Sequence, residues 1–391
     1  MKAVICQNET LAVSDLPERQ PGKGQVLLRV LRCGICGSDL HLQHHCDHMS
    51  ALAARVGYPD FPKAADAVVY GHEFCGEILE HGPGTSRRLK AGTRVCAVPL
   101  LRLDQRVDMI GLSAHSAGAY AERVVVQEAL MEAIPNGLSD DIAALTEPMA
   151  VALHAYRRSE IRKSDVAVVV GCGPVGLAVI CMLKAHGVRT VIASDYSPGR
   201  RALAAKCGAD VVVNPGEESP FASWKEHGHI GGLDQLMELG VSTREQLGRL
   251  PGPWWHVWRI AEAAGLGPKR PVIFECVGVP GLLNHLLAGA PIRSRIVVVG
   301  VCMEKDAIEP ALGINKEIEL RFVLGYSPLE YRDALHLLAE GKVRGEALIT
   351  GTVGLDGVEA AFAALGNPEE HAKILIDPAQ QGAAVTRRSV A

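Results

Sequence analysis

"VAVVVGCGPVG", from Val166 to Gly176, is an apolar strand that runs straight into Gly171-x-Gly173-x-x-Gly176 and on into a helix. A strand that is apolar throughout, without alternation, reads as buried on both faces, the pattern of a parallel sheet covered by helices. The first glycine permits a tight turn. The second lets a phosphate approach the backbone, and the third lets helix and strand pack closely. The start of the helix then offers unpaired N–H groups to an anion. Glycine is abundant here, with 41 in the chain, so the bare spacing says little and its strand-to-helix context carries the reading.

Working outward, "TVIAS", "DVVV", "PVIFECVG", "RIVVVG" and "ELRFVLGY" alternate with helical stretches. A six-stranded, doubly wound parallel sheet is predicted over about 150–323. Asp195 ends the second strand, nineteen residues past Gly176. An acid there accepts both ribose hydroxyls and repels a 2′-phosphate, which favours NAD over NADP. Arg200 and Arg201 count the other way, because an arginine can hold that phosphate. Residues 1–149 read as β-rich, with short alternating runs between Gly and Pro turns, until "LSDDIAALTEPMAVALHAY" changes to a helical period behind Ser139 as cap. Residues 324–391 return to mixed structure, with a polar tail after Pro378 expected to fray.

A chain of 391 residues is too long for one compact core and fits two domains. The net charge of −4 points away from nucleic acid as a partner. No apolar run approaches the ~20 residues that span a bilayer, so no membrane partner is expected. "MKAVICQNETLAVSDLP" lacks a signal-peptide layout and reads as a first strand. The eleven cysteines are scattered, several of them inside apolar elements. They read as small buried hydrophobes in a reduced, cytoplasmic setting.

"CGICGSDLH", from Cys33 to His41, raises the question of metal. "YGHEFCGE" adds His72 and Glu73, and "LTEPMAVALHAY" adds Glu147. Structural zinc draws on four local ligands, whereas catalytic zinc takes three protein ligands and keeps a position open. Cys36, His72 and Glu147, far apart in sequence, suit the second kind. In their order and combination, "CGICGSDLH", "GHEFCGE", "EPMAVALHA", "GCGPVG" and "FECVG" resemble the zinc-dependent alcohol dehydrogenase branch of the medium-chain dehydrogenase/reductase superfamily. The resemblance is nearest to sorbitol, threonine and butanediol dehydrogenases and covers almost the whole chain.

The resemblance implies an α/β fold, with a Rossmann domain at 150–323 and a β-rich GroES-like catalytic domain built from 1–149 and 324–391. It implies Cys36, His72 and Glu147 as zinc ligands, with Glu73 a neighbouring carboxylate that ligates when no substrate is present. Asp39 would orient the histidine ligand, and Ser38 and His41 would relay a proton. Gly171, Gly173, Pro174, Val175 and Gly176 would cradle the cofactor, Asp195 would hold the ribose, and Arg200 would sit near the adenosine. Val277, Val299 and Val301 would face the nicotinamide. Lys373 in "HAKILIDP" would either reach the pyrophosphate or be a surface lysine. The implied activity is NAD(H)-linked interconversion of a secondary alcohol or polyol and its ketone, by a homodimer or homotetramer acting on small molecules. Zinc at +2 with one thiolate, one carboxylate and a neutral imidazole sums to zero, which suits alkoxide binding. Glu73 as a fourth ligand would turn the site negative, so it is expected to leave when substrate arrives. A zinc-free enone or quinone reductase of the same superfamily would lack the ligand trio. A non-catalytic binding member would be expected to have lost relay or ligand residues.

Three stretches depart from the family pattern. "PLLRLDQRVDMIGLSAHSA", where relatives often carry a second, structural zinc, has no cysteine, so one zinc per subunit is expected. The stretch 42–71 is long and contains "HHCDH", which reads as a solvated polar loop rather than a metal cluster. The segment 216–270 is too long for a strand-to-strand crossover and holds all four tryptophans, Trp224, Trp254, Trp255 and Trp258. It reads as a helical cap whose aromatics bury against the cofactor domain or, more sharply, as a lid or subunit contact.

Overall fold

The computed structural model describes residues 1–135 and 137–388. Six parallel strands form one sheet in the order Val211–Val213, Thr190–Ser194, Val166–Val170, Val272–Glu275, Arg295–Val298, Glu319–Phe322. The strand order reverses between Val166–Val170 and Val272–Glu275, and ligand crevices of doubly wound sheets open at such a switch. The helix Pro174–Ala185 starts there, with Gly173 as its N-cap and proline in its first turn.

The three glycines of the turn differ in what they exclude. Gly171 sits at φ 90°, and a Cβ on it would lie 2.5 Å from Val277 Cγ2. A Cβ on Gly176 would lie 1.9 Å from the carbonyl oxygen of Gly171, so helix and turn touch backbone to backbone. A Cβ on Gly173 would meet nothing within 4 Å, which leaves that side of the turn open to an incoming group.

The second body joins both ends of the chain. The strand Gln25–Gly34 pairs with Glu73–His81 and Arg123–Gln127 from the N-terminal part and with Lys373–Ile376 from the C-terminal part. Ile349–Val353 lies beyond Lys373–Ile376, and Thr386–Arg387 pairs onto its outer edge. The tail is therefore not frayed throughout, as the sequence led us to expect, because Thr386 and Arg387 close a sheet edge. Residues 389–391 of the expected tail lie outside the described residues. Lys2–Gln7 forms the expected first strand.

The helix Thr146–Ser159 joins the two bodies. Leu145, Met149 and Leu153 share one apolar core with Val169 and Leu177 of the parallel-sheet side and with Tyr331, Leu335 and Leu348 from the later chain. Arg157 on this helix also meets Asp333 at 2.6 Å. Glu147, in its first turn, thus stands at the junction.

Two expectations need correction. The stretch after His41 is not a loop at first, because the helix Gly37–Arg55 continues through it with a bend at His45. Leu42, Cys46 and Ser50 are buried at helical spacing, a signal overshadowed by the polar residues between them. His44 turns to Glu9 at 3.0 Å, while Cys46 donates to the Pro62 carbonyl at 3.2 Å, so the run does not converge. The insertion docks by its two ends, through buried Phe221 and Ile230 at the start and through Arg270, which meets Glu319 at 2.6 Å, at the end. The helices Leu233–Leu247 and Trp254–Ala263 then form a hairpin with no buried residue. Its tryptophans meet one another edge to face, with Arg244 over the Trp254 ring, instead of burying against the cofactor domain. Among the described residues, no helix is long and apolar enough to cross a membrane.

The turn supplies a stability comparison. Gly176→Ala forces helix and turn apart and is expected to cost about 1–3 kcal/mol in urea denaturation. Gly173→Ala loses only an N-cap preference, under about 1 kcal/mol, because its methyl meets open space.

Candidate active site

Cys36 is the N-cap of the helix Gly37–Arg55, and Asp39 completes a capping box with it. Asp39 is fully buried. Its Oδ2 accepts from the Cys36 backbone N–H at 2.9 Å and from the Tyr120 hydroxyl at 2.7 Å. Its Oδ1 lies 3.5 Å from His72 Nδ1, close enough for charge attraction but without hydrogen-bond alignment. Burial pushes the Asp39 carboxyl up, yet the His72 ring and the two donors hold it below its ordinary value. Burial opposes charge on His72, but Asp39 and the Cys36 sulfur raise it well above the usual imidazole range.

The donor atoms of Cys36, His72 and Glu73 all lie within 4.8 Å of one another. Glu147 is not in that tight group, though it stands close enough to His72 and Glu73 to feel both charges. Burial pushes its carboxyl up to about 7, with Glu73 adding to the rise while His72, the Tyr326 hydroxyl and Lys373 oppose it. A thiol, an imidazole and carboxylates converging in a buried site suit zinc. The buried Ser38 Oγ is a polar atom for which the protein itself supplies no hydrogen-bond partner.

Lys373 is neither at the pyrophosphate nor on the surface, and both alternatives are corrected. It is fully buried on the strand Lys373–Ile376. Its Nζ donates to both Glu73 oxygens, at 2.8 and 2.6 Å, and to the Ile35 carbonyl at 2.9 Å. Burial opposes its charge, and Glu73 wins and holds its pKa up. A lone lysine before an apolar run gives no hint of a buried counter-ion three hundred positions earlier. Tyr120 on Asp39 and Tyr326 beside Glu147 were likewise missed, since neither lies in a motif.

His41 is one helical turn beyond Ser38, and burial, with the like charge of His45 added, holds its pKa below the ordinary value. In the crevice, Pro174 and Val175 open the helix behind Gly173. Asp195 accepts from the Cys172 N–H at 2.7 Å and the Ser197 N–H at 2.8 Å, which pins its carboxylate beside the glycine turn. Arg200 opens the next helix, and its Nε is buried without a partner. Val277 and Val301 are exposed and Val299 half-buried past the ends of the neighbouring strands, an apolar surface a flat ring could cover. Glu275, also missed from sequence, shapes this rim by accepting from the Val277 and Gly278 N–H groups at 2.7 and 2.8 Å.

Two family models match the chain. Residues 22–136 match an alcohol dehydrogenase GroES-like domain, and residues 174–244 match a zinc-binding dehydrogenase. The chain is 31% identical to (R,R)-butanediol dehydrogenase of Bacillus subtilis (strain 168), with 97% of this chain and 100% of the relative covered. It is 26% identical to sorbitol dehydrogenase of the same organism, with 97% of each covered. The crystal structure of 2R,3R-butanediol dehydrogenase from Bacillus subtilis superposes with a TM-score of 0.72 at 30% identity, covering 96% of this chain and 99% of that one.

The Glu73–Lys373 pair is open to direct test. Lys373→Met leaves a buried carboxylate without its counter-ion and is expected to cost about 3–5 kcal/mol in chemical denaturation. Adding Glu73→Gln to it should recover part of the loss. A single variant as stable as the wild type would show that the pair is not closed to water.

Proposed function

The chain belongs to the zinc-binding, GroES-like alcohol dehydrogenases of the medium-chain superfamily, and on that premise we propose that it oxidises a small secondary alcohol or polyol to its ketone, reversibly, with NAD. Alcohol–ketone interconversion, zinc and a nicotinamide cofactor come with the family. The substrate class and the individual residue roles are proposed. The observation that carries them is the convergence of Cys36, His72 and Glu73, with Glu147 beside them. The names of the diol and polyol dehydrogenase relatives favour a substrate with vicinal hydroxyls.

Cys36, His72 and Glu147 would hold the zinc. When bound, zinc supplies a Lewis acid and the nicotinamide a hydride acceptor. The chain's own residues do the rest. Asp39 keeps the His72 ring oriented from behind. Lys373 neutralises Glu73, so the Glu73 charge need not enter the balance of thiolate and carboxylate against the metal. Ser38 Oγ, buried and unpartnered, would accept the proton a substrate hydroxyl gives up as it passes its own proton on toward His41, which carries it outward. Gly173 gives the pyrophosphate room, and the fixed Asp195 carboxylate favours ribose hydroxyls over a 2′-phosphate. The zinc-free reductase is the weaker reading, because it has no use for a buried thiol–imidazole–carboxylate group. Eleven free cysteines fit a cytoplasmic protein. A homodimer or homotetramer is the proposed assembly.

The first experiment is zinc analysis of the purified protein. One zinc per subunit is expected, falling to none in Cys36→Ala. Two would mean a second site that the cysteine-free stretch 99–117 did not lead us to expect, and none in the wild type would favour the zinc-free reductase. The pH profile tests the relay. Below its pKa the His41 ring is already protonated and accepts nothing, so kcat/KM for alcohol oxidation falls on the acid side. The depressed pKa keeps the ring neutral, and active, to lower pH. His45→Gln removes the like charge and is expected to move that limb to higher pH, and an unmoved limb would take His41 out of the relay.

A further inference from the structure

We propose that the hairpin Leu233–Ala263 is a docking surface for a second copy of this chain. The proposal builds on the homo-oligomer put forward above and names the surface involved. No residue from 233 to 270 contributes to any of the three hydrophobic cores. Each helix nonetheless carries an exposed apolar stripe at helical spacing, Leu233–Met237–Val241 on the first and Val257–Ile260 on the second. Between them, an open groove of about 380 Å³ is lined by Arg244, Trp254, Trp255, Trp258, Arg259 and Glu262. Arg244 lies over the Trp254 ring at 4.4 Å, and Trp258 Nε1 donates to Glu262 at 2.8 Å, so the groove walls are held in place. Aromatic and arginine side chains of this kind are the usual anchors of protein interfaces.

Charge favours a second copy over other occupants. The hairpin carries Asp234, Glu238, Glu245 and Glu262 against Arg244, Arg249 and Arg259. An anionic bilayer or a nucleic acid asks for a net basic face, which this is not. Interleaved charges of both signs around an apolar centre can satisfy one another across a two-fold axis.

All four tryptophans lie in the insertion, and three of them line the groove, so the native protein carries its own reporter. Tryptophan emission and acrylamide quenching should be followed from nanomolar to tens of micromolar protein, alongside mass by light scattering. The variant Val257→Glu/Ile260→Glu is compared with the wild type, and anionic phosphatidylserine vesicles form a separate arm. Concentration-dependent shielding and a blue shift, both lost in the variant together with a halved mass, are the expected result. An oligomer whose tryptophans stay open, and whose mass the variant leaves alone, would overturn the proposal while sparing the oligomer. A monomer at every concentration would overturn both. Shielding that appears only with vesicles would replace the second copy with a membrane surface.

Discussion

An ammonium and a carboxylate, both shut off from water, meet where the beginning and the end of the chain share one sheet. A buried ion pair of this kind adds little net stability, because desolvation takes back most of the attraction. What it contributes is register. Lys373 grips Glu73 and the Ile35 carbonyl together, and those two residues are the immediate neighbours of His72 and Cys36. Three strands far apart in sequence are thereby held at the spacing a metal ion requires.

Asp39 does the complementary work on the helical side. It caps the helix that carries Ser38 and His41, takes the Tyr120 hydroxyl, and faces His72. One carboxylate thus sets helix entry, ring orientation and local charge together. The site divides its acids by partner: Asp39 answers to an imidazole and Glu73 to an ammonium. Glu147 has its carboxyl raised to about 7 by burial, a rise that His72 and Lys373 oppose without cancelling. A bound cation would offset the rest, which fits its proposed role as the carboxylate ligand.

The parallel sheet and its glycine turn were legible because apolar period and glycine spacing are local properties, and each glycine proves to have a distinct steric reason. The proposed metal residues came from their motifs, and of these Cys36, His72 and Glu73 converge. Lys373 was not, since nothing near "HAKILIDP" shows that its partner lies on a strand three hundred residues earlier. The helix beyond His41 was obscured because Leu42, Cys46 and Ser50 are only three inward positions among polar ones. That no tryptophan is fully buried, with Trp255 exposed and Trp224, Trp254 and Trp258 half-buried, ran against composition, because large aromatics ordinarily mean burial and the sequence alone does not show which surface buries them.

A sheet built from both chain ends also sets an order of events during synthesis. The strands of the parallel sheet, ending at Phe322, have all been made before Lys373 is added. Until then Glu73 has no counter-ion, and the sheet around Gln25–Gly34 lacks the strand Lys373–Ile376 on one side. The cofactor half can therefore mature while the chain is still growing, whereas the metal-binding half waits for the last few dozen residues. A polypeptide cut short before Lys373 would retain most of its length and every proposed zinc ligand, yet lack the strand and the charge that hold them in register.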